Sequence, residues 1–444
     1  MSEISRRQAL KVGAAAAALP LVHIRTAGAA GKLSVGLWDH WVPAGNDAMR
    51  KLVAKWSDQT KTDVQIDFIT TVGNKNLLTI AAEAQAQTGH DMETFPTWEV
   101  HNNGQMLEPM DDVVKRLVAQ YGPISSISQY LATVGGSWRA VPSSSGSQNK
   151  PNCTRISFFK QNGVDVQSIA PVGDSMGAGY DKWTWEAFVA LAPKAQQAGL
   201  PFGLPLGQFP DAVDWVGSLF AAHGAQLVDA KGNTTVKSDA VRQVLEFAKK
   251  LVPSLPGDVF SWDDASNNRA LISNKSALIF NPPSAWAVAK KDAPQVAEDC
   301  WTFPNPAGPA GRFVPHLPYF WGVWKFAQNK SAAKELIEWL SQREQVETLC
   351  TAVSGYDIPP FQSMTDFKVW ADVEPPKGTV YNYPIRPQHH SQAHVAAYPA
   401  PPDIAVQIYN QATMTKMIAR CTQGGQSVEQ TIAWAEGELE GFSR

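Results

Sequence analysis

Short apolar runs alternate with stretches of helical spacing from residue 33 onward. Leu33 to Trp38 is an apolar run of strand length, and Val64 to Ile69 is a second one. Between them, apolar side chains recur at the i, i+3, i+4 and i+7 positions of one helix face: Met49, Leu52, Val53 and Trp56. This order predicts two parallel strands joined by a right-handed crossover and covered by helices.

The same alternation returns in the middle of the chain. Thr184 and Ser238 are each expected to cap the N-terminus of a helix. The two helices are predicted to bury Phe188, Leu191, Ala192 and Ala195, and Val241, Val244, Leu245 and Ala248, respectively. Apolar runs at Pro201 to Leu206 and Ser276 to Phe280 predict strands between such helices. The predicted fold class is therefore α/β.

The last eighty or so residues follow a different pattern. Phe361 to Pro402 is rich in Pro, Tyr and His without a sustained period, which predicts a long ordered loop around the body. Two helices, Asp403 to Cys421 and Ser427 to Gly441, are expected to close the chain.

The N-terminal residues have the features of an export signal. Ser5 to Lys11 contains the pair Arg6-Arg7, which is typical of the twin-arginine route, and the apolar run Val12 to Leu19 follows. Ala27-Gly28-Ala29 supplies the small residues that a signal peptidase accepts, so we expect residues 1–29 to be removed. The alternative is an apolar N-terminal helix that stays attached. The export signal predicts a bacterial periplasmic protein.

Removal of residues 1–29 leaves 415 of the 444 residues, which exceeds the size at which one hydrophobic core keeps growing. Two lobes are therefore expected. Gly and Pro concentrate at Ala140 to Pro151, Pro304 to Pro318 and Gly355 to Pro360, and we interpret these segments as crossings between lobes, with surface loops as the alternative.

The charge pattern and the cysteines exclude several classes of partner and site. A net charge of −3, with acids and bases interspersed, gives no footprint for nucleic acid or an anionic membrane. The four cysteines, at 153, 300, 350 and 421, lack the CxxC spacing of zinc and redox sites. Disulfides and buried free thiols both remain open for them. No cofactor is predicted.

Two clusters of polar residues could belong to a functional site, but each has a simpler structural explanation. His389, His390 and His394 lie in an irregular Pro-rich stretch, where a solvated or hydrogen-bonded loop is favoured over a metal site. Asp211 and Asp214 lie at the start of a predicted helix, and the helix dipole alone accounts for acids there.

Sixteen tryptophans is an unusually high number, and several lie beside turn residues. Indole faces suit sugar rings, whose C–H patches stack on them while hydroxyl groups need fixed hydrogen-bond partners. Trp38, His40 and Trp41 follow the first strand, where open α/β sheets bind ligands. Trp56, on the helix stripe, is assigned to the core.

The order of several short motifs resembles the periplasmic solute-binding proteins of ABC importers for oligosaccharides and polyols, the family that includes maltose-binding protein. The resemblance runs from Leu33 to about Pro360 and rests on Trp38-Asp39-His40-Trp41, Gln105 to Asp112, Ala140-Val141-Pro142, Lys182 to Glu186, Ser273 to Leu278, and Trp321-Gly322 before Lys330 to Ala333. It implies two α/β lobes with three crossings (type II), a ligand in the cleft between them, and delivery to a membrane permease.

The resemblance and the loop-placed polar and aromatic residues together predict the binding residues and the lobe boundaries. The predicted binding residues are Trp38, His40, Trp41, Thr94, Trp98, Asn281, Ser284, Trp286, Tyr319 and Trp321, to which loop position adds Ser144 and Tyr356. Lobe 1 is expected at 30–139 and 305–355, lobe 2 at 140–304, and the segment 356–444 mostly on lobe 2. The turn Asn281-Pro282-Pro283-Ser284 places an indole only at Trp286, which argues against a maltodextrin ligand.

Two other functions compete with sugar binding. A glycoside hydrolase needs two carboxylates, for which Glu93 and Asp357 are candidates, but no catalytic motif such as GxSxG or HExxH is present. A phosphorylated polyol needs backbone amides and Arg, for which Ser144, Ser145 and Arg139 are candidates, and a polyamine needs several acids in the cleft; the aromatic, weakly charged cleft favours a neutral ligand over both. The sequence therefore predicts a monomeric binding protein without enzymatic activity that binds a sugar or polyol and contacts an ABC permease.

Overall fold

The computed structural model describes residues 32–172, 175–281, 284–374, 376–377, 379 and 391–442. The predicted signal segment, His389 and His390 therefore lie outside the described residues. Helices alternate along the chain with the strands of two main sheets, which confirms the α/β class.

The first predicted unit is confirmed. Strand β1 (Lys32–Trp38) pairs in parallel with β2 (Asp63–Ile69), from Lys32 opposite Asp63 to Trp38 opposite Ile69. The connecting helix α1 (Pro43–Thr60) buries the predicted stripe of Met49, Leu52, Val53 and Trp56. Helix α2 (Lys75–Ala86) then leads to β3 (Met92–Pro96), which is parallel to β1.

These strands belong to a seven-stranded sheet centred on one long strand. The strands added to it are β6 (Val141–Asn149), β10 (Ala307–Gly308), β11 (Gly311–Val323) and β12 (Gln392–His394). β11 runs antiparallel to β3, β6 and β10 and parallel to β12. Beside it, the small hairpin β4 (Thr133–Val134) and β5 (Ser137–Trp138) forms a separate pair.

The second main sheet has three antiparallel strands in the order β8-β7-β9. These are β7 (Asn152–Arg155), β8 (Leu278–Phe280) and β9 (Cys300–Phe303). The chain passes from the large sheet to the small one between Asn149 and Asn152, and it returns between Phe303 and Ala307. Both passages fall in segments that the sequence interprets as crossings.

The remaining helices cover these sheets. They are α3 (Glu99–Asn103), α4 (Asp111–Tyr121), α5 (Ser126–Ala132), α6 (Ile156–Gln161), α7 (Val166–Ile169), α8 (Trp185–Gln197), α9 (Pro210–Ala222), α10 (Asp239–Leu251), α11 (Ser266–Ile272), α12 (Ser284–Asp292), α13 (Pro294–Ala297), α14 (Lys330–Leu340), α15 (Arg343–Ala352), α16 (Val369–Asp372), α17 (Pro402–Asn410), α18 (Thr413–Thr422) and α19 (Val428–Phe442). The predicted caps are present, since Thr184 accepts from the Ala187 amide and Ser238 from the Val241 amide. Helices α14 and α15 pack beside α1, whereas α18 packs on α9 and α10.

Two sequence predictions of secondary structure are wrong. Pro201 to Leu206 forms no strand, because Pro201 and Pro205 lack the amide hydrogens that a ladder needs. The predicted helix from Asp403 to Cys421 is two helices, α17 and α18, separated at Ala412, whose φ of 52° is left-handed.

The remaining features of the fold concern the C-terminal segment, the cysteines and the length of the helices. Within Phe361 to Pro402 the structure adds the short helix α16 and strand β12. The four cysteines are buried free thiols. Among the described residues, no helix is long and apolar enough to cross a membrane.

Candidate binding cleft

A cavity of about 430 Å³ lies between the two sheets and is lined from both sides. This volume is in the range of small-molecule sites. The side of the large sheet contributes Trp41, Thr71, Asn74, Asn76, Leu77, the loop from Pro96 to Glu99, and Leu317 and Tyr319 of β11. The opposite side contributes Gln208 to Asp211, Val213, Asp264, Ala265, Asn268, Asn281 and Ser284, and further lining residues are Gln148, Lys150, Tyr356, Tyr409 and Asn410.

Six of the predicted binding residues line this cavity: Trp41, Trp98, Asn281, Ser284, Tyr319 and Tyr356. Trp41 follows β1, and its side chain is 41% exposed although it is a large apolar group. The Trp41 indole therefore does not fill the core and is open to the cavity.

The other six predicted residues lie elsewhere. Trp286 and Trp321 are only 1% exposed and belong to the hydrophobic core. Ser144 is buried within β6. Trp38 and Thr94 border a separate cavity of about 10 Å³, where the Trp38 amide donates to Thr94 Oγ1 at 3.3 Å.

His40 is also outside the lining, because both of its ring nitrogens are used by the protein. Nδ1 accepts from the Val42 amide at 2.8 Å, and Nε2 donates to Asp357 Oδ1 at 3.1 Å. The same Asp357 oxygen accepts from the Gly146 amide at 3.2 Å. His40 therefore joins the loop after β1 to β6 and to the segment Gly355 to Pro360.

The aromatic side chains of the lining are held by neighbours. Trp98 packs edge-on against Tyr130, with ring centroids 5.7 Å apart, and also contacts Tyr409. The Tyr356 hydroxyl donates to Gln148 Oε1. These contacts fix the ring planes before any ligand arrives, which lowers the entropy cost of stacking a ring ligand.

A charged cluster that the sequence reasoning missed forms the floor of the cavity. Lys150 Nζ donates to Asp211 Oδ1 at 2.5 Å and to Asp214 Oδ2 at 2.6 Å, and all three residues are buried. Burial alone would lower the pKa of Lys150, but its attraction to the two aspartates raises it, so the ammonium group persists. Asp211 also accepts from Asn267 Nδ2, and Asp214 accepts from the Tyr409 hydroxyl.

This cluster has a local structural origin. Pro210 begins α9, and its aspartates at positions i and i+3 share one helix face, which turns toward the cavity. Attributing both acids to the helix dipole was therefore incomplete. The missing signal was Lys150, because a lysine directly after the buried strand β6 needs buried acidic partners.

Two further carboxyl groups lie on opposite walls. Asp264, whose side chain is exposed in the cleft, accepts from the Asp211 amide at 3.4 Å. Partial desolvation and the nearby Asp211 carboxylate raise its pKa to about 7. Burial likewise raises the pKa of Glu99, although hydrogen bonds from Asn102 and Asn103 act in the opposite direction.

The sequence of the chain, compared with the sequence patterns of known families, shows which family has this cleft. The pattern of bacterial extracellular solute-binding proteins matches residues 51–377, which is 327 of the 444 residues. The chain belongs to this family. No curated protein matches this solute-binding protein.

Solved structures confirm the two-lobe fold. T. maritima MalE3 with bound maltose is 17% identical, with a TM-score of 0.73 over 92% of this chain and 99% of that one. A solute-binding protein from Thermotoga lettingae TMO, bound with α-D-tagatose, is 15% identical, with a TM-score of 0.72 over 93% and 99%. A sugar transporter protein from Arthrobacter chlorophenolicus A6, with bound laminaribiose, is 15% identical, with a TM-score of 0.70 over 93% and 99%.

One group in this solute-binding protein has the residue types of a metal site. Atoms of Glu83, His90 and Glu93 lie within 4.8 Å of one another, and all three residues are buried. His90 Nδ1 is 2.6 Å from Glu83 Oε1, and its Nε2 is 3.2 Å from Asp67 Oδ2. Burial and repulsion by Glu83 raise the pKa of Glu93 well above its usual value, so a protonated Glu93 is compatible with the adjacent carboxylate. The three side chains thus form a hydrogen-bonded network inside the large-sheet lobe.

Proposed function

We propose that this solute-binding protein is the substrate-binding component of an ABC importer. It captures a sugar, oligosaccharide or polyol in the cleft and delivers it to the membrane permease. The observation that carries the proposal is the cavity of about 430 Å³ between two lobes, with aromatic faces beside fixed polar groups.

The chemistry of the lining supports a sugar-like ligand. Trp41 offers an exposed ring face for C–H patches, and the buried rings of Trp98 and Tyr356 border the same cavity. Asn281 and Asp211 belong to the network around Lys150 and offer hydrogen-bonding atoms whose positions are already set. Maltose, α-D-tagatose and laminaribiose are bound by structures of the same fold, which is consistent with this ligand class.

The lobe assignment and the transport cycle belong to the same proposal. Lobe 1 comprises residues 30–139 and 305–355, and lobe 2 comprises 140–304 together with most of 356–444. A monomer with this organisation closes about its crossings when solute binds, and the closed form is the one that the permease recognises. Export by the twin-arginine route, through residues 1–29, places it in the periplasm.

We also propose that the protein has no enzymatic activity. A glycoside hydrolase would need two carboxylates in the cleft, but the two candidates, Glu93 and Asp357, do not line it. Glu93 accepts from Trp324 Nε1 at 3.1 Å, and Asp357 is bonded to His40 and Gly146. Both are therefore engaged in holding the fold.

The test is a thermal-shift screen of the mature protein against monosaccharides, oligosaccharides, polyols, phosphoesters and polyamines, followed by calorimetric titration of each hit. A ligand at one hundred times its Kd stabilises the folded state by about 2.7 kcal/mol, which is easily detected. We expect hits among sugars or polyols with one-to-one stoichiometry. Hits confined to phosphoesters or polyamines, or turnover of the bound sugar, contradict the proposal.

A further inference from the structure

The charges around the cleft are unbalanced. The described lining carries three carboxyl groups, on Glu99, Asp211 and Asp264, and one ammonium group, on Lys150. Lys150 is already bonded to Asp211 and also to Asp214. One cation between two buried aspartates leaves a net negative charge in that cluster before Glu99 and Asp264 are counted.

Glu99 and Asp264 form no ion pair with a basic side chain among the described residues, although Lys150 is close enough to attract the Asp264 carboxylate. Glu99 receives hydrogen bonds only from the neutral amides of Asn102 and Asn103. Asp264 receives one long hydrogen bond from the backbone amide of Asp211. Desolvation and the nearby Asp211 carboxylate raise the pKa of Asp264, and the attraction of Lys150 does not offset them, so a further positive charge nearby would stabilise its ionised form.

The aromatic lining adds a second, independent attraction for a cation. The faces of Trp and Tyr rings carry the negative part of the ring quadrupole, and they bind ammonium groups within about 6 Å of the ring centroid. Trp41, the exposed indole of the lining, borders the same cavity as the carboxyl groups, together with the buried rings of Trp98 and Tyr356. Glu99 comes from the large-sheet wall and Asp264 from the opposite wall, so both walls of the cavity carry a carboxyl group.

We propose that the solute of this cleft carries a positively charged amine, which makes an amino sugar or an oligosaccharide containing one the preferred ligand class. This inference rests on the proposed sugar-binding function and narrows it. A phosphorylated ligand is disfavoured because it would place its negative charge among three carboxyl groups. A neutral sugar satisfies the rings and the hydrogen-bond donors but leaves Glu99 and Asp264 without a counter-charge.

The experiment compares matched ligands by calorimetric titration at neutral pH. The probes are D-glucosamine, D-galactosamine and D-mannosamine and their β-1,4-linked di- and trisaccharides, each beside its N-acetylated and its neutral hydroxyl counterpart. N-acetylation removes the charge and keeps the ring. We expect at least one free amine to bind about tenfold or more tighter than both counterparts.

A pair of variants locates the effect. Asp264→Asn is expected to weaken binding of that amine by at least about fivefold more than it weakens binding of the neutral counterpart. Asp263→Asn is the matched control, because Asp263 is the adjacent acid, bonds to Arg269 and does not line the cavity. Melting temperatures of the unliganded variants check that both proteins fold.

The outcomes separate this inference from the proposed function. If neutral or N-acetylated sugars bind as tightly as their amines, or if Asp264→Asn weakens both classes equally, the amine assignment is overturned and sugar binding stands. If no sugar of any class binds in this panel or in the wider screen, the proposed function fails and the amine assignment fails with it.

Discussion

Trp41 and Trp321 were predicted from sequence to have the same role, and the structure gives them opposite surroundings. Trp41 is 41% exposed at the cleft, whereas Trp321 is 1% exposed among core side chains. Trp41 lies in the loop after β1, outside any strand. Trp321 lies within β11, opposite Thr94 of β3 and Val141 of β6, so strands on both sides help to bury it.

This difference predicts opposite effects of truncation. Trp41→Ala is expected to weaken ligand binding by about 1–3 kcal/mol, the range for aromatic stacking on ring ligands, with little effect on stability. Trp321→Ala is expected to lower the free energy of unfolding by about 3–5 kcal/mol through the cavity it leaves. Urea unfolding and calorimetric titration of both variants check this. A stability loss larger for Trp41→Ala than for Trp321→Ala contradicts the assignment.

Lys150 is expected to be essential for stability because its removal leaves two buried aspartates without a cation. Lys150→Met should lower the free energy of unfolding by about 3–5 kcal/mol, the cost of breaking a buried ion pair from one side. The triple variant Lys150→Met, Asp211→Asn, Asp214→Asn removes the uncompensated charges and should recover much of that loss. Chemical denaturation measures both, and equal stability of the single and triple variants argues against this cause.

At the scale of elements, β11 and its partner strands contain a pH-sensitive group. His316 of β11 is buried, its Nδ1 donates to Asn149 Oδ1 of β6 at 2.7 Å, and the hydroxyl groups of Ser125 and Ser128 lie 3.5 Å from its Nε2. Burial lowers its pKa to about 4. His394 of β12 is likewise buried, which lowers its pKa to about 4.

A lowered histidine pKa in the folded state means that the unfolded chain binds protons first as pH falls below about 6.5. The stability held by neutral His316 is therefore complete above that pH and is lost progressively toward pH 4. Between pH 7.5 and pH 5 this amounts to about 2 kcal/mol for His316.

The measurement is the free energy of unfolding at both pH values for the native protein and for His316→Gln. Since raised-pKa carboxyls such as Asp357 are common to both proteins, the difference isolates His316. We expect the native protein to lose about 2 kcal/mol more than the variant on acidification. An identical pH dependence of the two proteins would contradict a lowered pKa of His316 in the folded protein.

Periodicity in the sequence correctly predicted elements whose buried face is continuous, such as α1 and the β1–β2 pair. It failed where the backbone departs from its local preference. Ala412 has a left-handed φ of 52°, a conformation that the sequence signals only when Gly or Asn occupies the position. The single helix predicted there is therefore two helices in the structure. The segment Pro201 to Leu206 is mostly buried, as its apolar pattern indicates, but its prolines prevent strand pairing.

At the scale of the whole molecule, the length of the chain and its Gly- and Pro-rich segments predicted two lobes. Of the twelve residues that the sequence analysis named as ligand-binding, six line the cavity. The sequence did not anticipate the acids. Asp211, Asp264 and Glu99 are separated by up to 165 positions, and only the folded chain brings them to one cavity with Lys150. A pattern within one segment carries no information about such long-range charge pairing.

The central claim is that solute binds between the lobes, and hydrogen–deuterium exchange with mass spectrometry tests it most directly. The unliganded protein is compared with the protein saturated by the best sugar of the screen. The account predicts slower exchange on both walls together, in the loop from Pro96 to Glu99 of one lobe and at the start of α9 and around Asp264 of the other. Protection confined to one wall, or found only outside the cleft while binding is confirmed by calorimetry, contradicts it.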